Sequence, residues 1–159
     1  MSATVYVCVQ SQDFNCGDEI SALQSPAANI GALSTFIGYV RANPKLDPAV
    51  AEQKQLSSLT LEHYPGMTEK TLSEIAIKAE ERWPLLGIRI IHRFGKLFPG
   101  EQIVFVGVAA AHRHAAFEAC TYIMDFLKTS APFWKKETTP DGSFWVEARK
   151  SDENSCKRW

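Results

Sequence analysis

Nine consecutive apolar residues, Ile103 to Ala111, constrain this chain more than any other stretch. A run of that length suits one strand buried on both faces. It stops at His112-Arg113-His114, and a helical pattern follows, with Phe117, Cys120, Met124 and Leu127 at three- and four-residue steps. Lys128 closes the pattern, and Pro132, Phe133-Trp134 and Lys135-Lys136 come next. A buried strand therefore delivers basic groups to the start of a helix, and a lysine leaves its far end. Such a strand needs cover on both faces. The helices are expected to supply one face and a partner subunit the other.

Upstream, Thr4 to Gln10 alternates around Val5, Val7 and Val9 and predicts a strand. Asp18 is the expected cap of a short helix that ends before Pro26. Ile30 to Arg41 is rich in β-formers and predicts a long strand, with Leu33, Thr35, Ile37, Tyr39 and Arg41 on one face. Ala42 to Gln55, with two prolines, reads as a surface loop. Leu56 to Tyr64 reads as a strand, and Leu72, Ile75, Ala76, Ala79 and Trp83 make a helical stripe stopped by Pro84. Gly87 to Leu97 predicts one further strand, turned by Pro99-Gly100 into the apolar run. Phe144 to Ala148 predicts a last strand. Strand pairs interspersed with two long helices imply an α+β fold with a mixed sheet, with one parallel-type crossover around each long helix. Residues 1–150 are expected to form a single domain, with 151–159 a polar tail.

Composition narrows the function classes. A net charge of −1 gives the chain as a whole no attraction for nucleic acid, so any anion must be held by a local cluster. No apolar run reaches the length of a membrane helix, and the first ten residues lack the pattern of a signal peptide, so a cytoplasmic protein is expected. Cys8, Cys16, Cys120 and Cys156 include no CxxC pair and are expected as free thiols, with no metal site built from them.

Local clusters carry the chemistry. On a wheel of about 100° per residue, Lys128 falls roughly 20° from Phe117 and roughly 40° from Met124, on the apolar stripe. It is either a lysine that snorkels from a helix end or one aimed into a pocket as a nucleophile or acid–base group. His112-Arg113-His114 opposes the helix dipole. It faces solvent, or binds an anion with the helix N–H groups, or offers two imidazoles to a metal, for which no third ligand stands out nearby. Arg41 ends a strand, where ligands are often met. Phe133-Trp134-Lys135-Lys136 could hold a flat heterocycle beside a phosphate or pack a loop onto the domain.

The strings LEHYPGMTEKTL (61–72), ERWPL (81–85), IHRFGKLFPGEQIVFVGVAAAHRHAAFEAC (91–120), YIMDFLKTSAPFWKKE (122–137) and WVEAR (145–149) closely resemble the large, catalytic subunit of molybdopterin synthase. The likeness runs from about Gly31 to Trp159. It implies an α/β-hammerhead with an additional antiparallel subdomain. It implies a sulfurtransferase that converts cyclic pyranopterin monophosphate to molybdopterin, with two sulfurs delivered by the C-terminal thiocarboxylate of a small ubiquitin-like partner subunit. It further implies a homodimer within a heterotetramer and no metal or other cofactor. Carried over residue by residue, Lys128 and Lys135 take the catalytic positions. Arg41, His112 and Arg113 take substrate-pocket positions, with Tyr39, Val40, Lys136 and Glu137 lining the same strand end and loop, and Arg149 as a further basic residue. A non-catalytic pterin-binding subunit and a hydrolase using His112 and His114 are the rival readings.

Overall fold

The computed structural model describes residues 2–25, 28–43, 55–147 and 150–159. The apolar run is strand β6 (Gln102–Ala110), an inner strand of a four-stranded sheet. Its neighbours are β4 (Leu85–Arg93) and β2 (Ala32–Tyr39), both antiparallel to it. The far edge is β1 (Thr4–Gln10), parallel to β4 with Thr4 opposite Gly87. This sheet is mixed, as expected.

Period-two alternation divides β6 between two cores. Val104, Val106, Val108 and Ala110 pack against helices α2 (Met67–Arg82) and α3 (Arg113–Ser130). Phe105 and Ala109 point the other way, against Phe14 and Leu23. Leu23 belongs to α1 (Cys16–Gln24), so the chain's own short helix covers the face for which a partner was expected. Gly107 makes that approach possible: a Cβ there would overlap Leu23 and come within 2.8 Å of the Phe105 ring. Each fully buried Val or Phe side chain contributes about 1.5–3 kcal/mol, so a strand used on both faces is worth far more than one half exposed. The cap of α1 is Asn15, whose side chain accepts from the Asp18 N–H at 3.1 Å; Asp18 itself lies inside the first turn.

The stretch expected as one strand, Gly87 to Leu97, is two. β4 ends at Arg93, and β5 (Gly95–Leu97) joins a second sheet after Gly95 takes φ +90°. That sheet runs β5-β3-β7-β8, with β3 (Ser58–His63), β7 (Phe133–Thr139) and β8 (Gly142–Val146), and every pairing in it is antiparallel. It is the additional antiparallel subdomain. The long helices do not make crossovers within one sheet: α2 leads from β3 to β4, and α3 from β6 to β7. The polar tail contains helix α4 (Lys150–Cys156), and Trp159 beyond it packs against the main core. Residues 44–54 of the expected loop, Ala148 of the expected last strand and Arg149 lie outside the described residues. No helix among the described residues is long and apolar enough to cross a membrane.

The seam between the sheets is fastened by Arg93. Its buried guanidinium donates to Ser11 O at 3.1 Å and Gln102 O at 2.9 Å and pairs with Glu101 at 3.4 Å. Ser11 follows β1, Glu101 precedes β6 and Gln102 opens it, so one side chain ties together the strand ends next to Arg41.

Candidate active site

Strand β2 stops at Tyr39, after a register irregularity at Gly38. The chain stays attached beyond it: Val40 N–H donates to Glu101 O at 2.9 Å, and Gly100 N–H donates to Val40 O at 2.8 Å. Val40 is buried with Leu59, Leu61 and Leu97, so its side chain is a peg between the sheets. Tyr39 and Arg41, on either side of it, are exposed.

The aromatic-lysine segment, whose strand character the alternation of Phe133 to Thr139 conceals, is β7. Register assigns its faces. Phe133, Lys135 and Glu137 pair with His63, Leu61 and Leu59. Directly opposed residues share a face, and Leu61 and Leu59 are buried, so these three side chains belong to the inner face. Trp134 and Lys136 belong to the outer face, where the Lys136 ammonium lies 5.5 Å from the Trp145 ring. Lys135 and Lys136, adjacent in sequence, therefore point into different surroundings. Glu137 shares the side of Lys135.

Lys128 occupies the last turn of α3, where its charge suits the helix dipole. It is exposed and lines a cleft of about 480 Å³ with Ser34, Thr35, Phe36, Phe117 and Asp152. Phe117, expected on the buried stripe, is 62% exposed, and Phe36 is 38% exposed. Cys120, Met124 and Leu127 pack inward as expected, joined by Ala116, Ala119 and Ile123. Lys128 thus stands at the edge of the buried stripe, in line with the exposed Phe117. Cys120 is a core thiol, and burial pushes its pKa up.

His112 is the N-cap of α3, in extended conformation, and its side chain makes no capping bond; the first turn holds no acidic residue. His112 and Arg113 are exposed. His114 turns back along the helix, 3.5 Å from Glu118, which also accepts from the Trp83 indole at 3.0 Å. An acidic neighbour therefore does stand beside the His-x-His, but among the described residues no group of three His, Cys, Asp or Glu is placed to hold a metal.

These clusters sit at two ends of the protein. Tyr39 pairs with Gln102 at the start of β6, whereas His112 follows Ala110 at its end. Nine residues of strand separate them by about 27 Å. Arg113 and Lys128, fifteen residues apart on one helix, are separated by about 22 Å along its axis. One chain brings Tyr39 and Arg41 to the end of the sheet where α3 terminates and β7 begins, and holds His112 and Arg113 at the other.

A second histidine pair lies at the seam. His92, the penultimate residue of β4, stacks on Phe133 with ring centroids 3.7 Å apart and planes at 19°. His63 lies 4.6 Å from Phe94 and 6.2 Å from Phe133. His92 Nδ1 is 2.8 Å from Arg93 O. A carbonyl oxygen only accepts, so Nδ1 carries the proton. Burial drives the His92 pKa down to about 4; the bond to Arg93 O opposes this, while the nearby Lys135 charge and His63 reinforce it. As part of one continuous strand from Gly87 to Leu97, His92 carries no signal of this role. The break at Gly95 is what turns it toward β7.

Three comparisons bear on these clusters. Residues 9–130 match the family model described as MoaE protein. The chain is 52% identical to the molybdopterin synthase catalytic subunit of Pseudomonas aeruginosa, over 95% of this chain and 96% of that one. It is 52% identical to the Escherichia coli protein of the same name, over 99% of each. A solved structure, the molybdopterin biosynthesis MoaE protein from Burkholderia ambifaria, superposes with a TM-score of 0.80 at 46% identity and covers 98% of each chain.

Proposed function

The chain belongs to the MoaE family, and we propose that it is the catalytic subunit of a molybdopterin synthase, converting cyclic pyranopterin monophosphate to molybdopterin. The sulfur arrives on the C-terminal thiocarboxylate of a small ubiquitin-like partner subunit. The observation that carries this reading is the pair of exposed lysines at the junction of α3 and β7, Lys128 in the last helical turn and Lys135 on the inner face of the second sheet. An incoming carboxyl-terminal tail meets fixed positive charge there, beside apolar walls from Phe36 and Phe117 that suit an extended peptide. Lys128 assists the acyl transfer and the attack of the sulfur, and Lys135 acts with it to receive the sulfur from the partner's tail.

The two-ended arrangement supports a homodimer. No single pterin monophosphate spans from Arg113 to Lys128 of one chain. A second copy related by a two-fold axis can place its own His112 and Arg113, with the N–H groups of its α3, over the lysine end of the first. The phosphate would then be held by one protomer and the sulfur received by the other. Free cysteines, none of them in the lysine cleft except the buried Cys120, fit a reaction whose sulfur comes from outside the chain.

The test is incubation of the protein with the pyranopterin and a thiocarboxylated small subunit, read by mass spectrometry for the gain of two sulfurs. Lys128→Ala should abolish that gain and leave the melting temperature and dimer unchanged, because the side chain is exposed. Product formation at the wild-type rate by this variant would overturn the assignment. Tight zinc at one equivalent per chain with hydrolytic turnover would favour the His112–His114 reading instead.

A further inference from the structure

We propose that His92 is a positioning residue for Lys135, acting through the ring of Phe133. This rests on the reading above, in which Lys135 takes part in sulfur transfer.

Lys135 stands on the first part of β7, just after the chain has left α3 and crossed from one sheet to the other. A strand at such a junction needs something to fix its direction. Two backbone bonds hold the turn: Ala131 N–H donates to Leu127 O at 3.4 Å, and Phe133 N–H to Ala131 O at 2.8 Å. The side-chain anchor is the stack of Phe133 on His92, two flat rings nearly parallel at 3.7 Å. His92 belongs to β4, in the centre of the mixed sheet, and is 5% exposed. Its own ring is fixed by the bond from Nδ1 to Arg93 O. Arg93 is in turn immobilised by Ser11 O, Gln102 O and Glu101. The orientation of the first β7 residue is thus set by the rigid sheet.

Side chains two residues apart on a strand leave the same face. Phe133 and Lys135 are so related, and their partners His63 and Leu61 confirm the register. The stack that orients Phe133 therefore orients the direction in which Lys135 leaves β7. The nearby Lys135 charge also opposes protonation of His92. A flat aromatic ring is needed at position 92, and a cationic one would face Lys135 and His63 from a buried site. Neutral imidazole, with its proton engaged at Arg93 O, meets both conditions.

His92→Leu substitutes an apolar side chain of similar bulk and removes both the stack and the bond to Arg93 O. Its kcat should fall about tenfold or more, as expected when a reacting group is displaced by a fraction of an ångström, with the KM for the pyranopterin nearly unchanged. His92→Phe keeps a stackable ring and should restore kcat to within about twofold of wild type. Phe133→Leu should reproduce His92→Leu, and the double variant His92→Leu/Phe133→Leu should cost little more than either alone, because both remove one stack. A readout independent of turnover is the rate at which Lys135 of the folded dimer is acylated by an amine-reactive reagent, followed by peptide mass spectrometry. It should change in His92→Leu and return in His92→Phe. Lys135→Ala separates the two levels: full activity in that variant overturns the catalytic role of Lys135 itself. Loss of activity in Lys135→Ala together with wild-type kcat and wild-type Lys135 labelling in both His92→Leu and Phe133→Leu overturns the positioning role alone.

Discussion

Acid should unfold this protein partly through one imidazole. A histidine in an unfolded chain titrates near 6.5; burial holds His92 at about 4 in the fold. Between those values the unfolded state binds the proton and the folded state refuses it. Stability attributable to His92 is therefore fully present above about pH 6.5 and is lost as pH falls through 4. The whole difference corresponds to about 3 kcal/mol, of which about 2 kcal/mol should be lost between pH 7 and pH 5. The groups facing the ring, Lys135 and His63, both act against its protonation and offer no compensating negative charge. The assay is urea unfolding followed by tryptophan fluorescence at several pH values, at one fixed protein concentration because the proposed dimer would add to apparent stability. His92→Phe is the control: it shares every other titrating group, so the difference between the two pH profiles isolates position 92. Wild type should lose about 2 kcal/mol more than His92→Phe over that range. Parallel profiles, or a steeper loss in the variant, would refute a buried neutral histidine at the seam.

Two other outcomes follow from the geometry. On the proposed dimer, Arg113→Ala and Lys128→Ala, each expected to be inactive alone, should regain about a quarter of wild-type activity when co-refolded, since half of the dimers would be mixed and each would restore one of two sites; no recovery by steady-state assay would argue that both clusters act within one chain. Gly107→Ala forces a methyl group against the buried Leu23 and Phe105 and should destabilise by about 1–3 kcal/mol, measurable as a lower urea midpoint with unchanged slope.

What sequence reveals here depends on how local the determining physics is. Strand β6, helix α2 and helix α3 are legible because their burial is written in continuous or periodic apolar residues. The resemblance supplies the lysines and the two-sheet architecture. The division of Gly87 to Leu97 is not legible, because GIRIIHR and GKL are each acceptable strand sequence and only the second sheet's demand for Leu97 opposite Leu59 breaks them. Strand β7 is hidden for a related reason. Its inner face carries Lys135 and Glu137 beside Phe133, so no apolar alternation marks it. Asn15 takes the cap from Asp18 because α1 begins earlier than Ile20 and Leu23 indicate. Phe117 misleads in the opposite sense: an aromatic at the right helical spacing lies in the open, on the wall of the lysine cleft.

The parallel pairing of β1 with β4 sets an order of events during synthesis. Thr4 has no partner until Gly87 exists, and Gln10 none until Arg93. Strand β1 must therefore wait for its place in the mixed sheet until two other strands and two helices of intervening chain have emerged. Such long-range closure slows folding. For that interval the edge and the valines of β1 are open to unwanted association, so a nascent chain halted shortly before β4 would be a form in need of a chaperone.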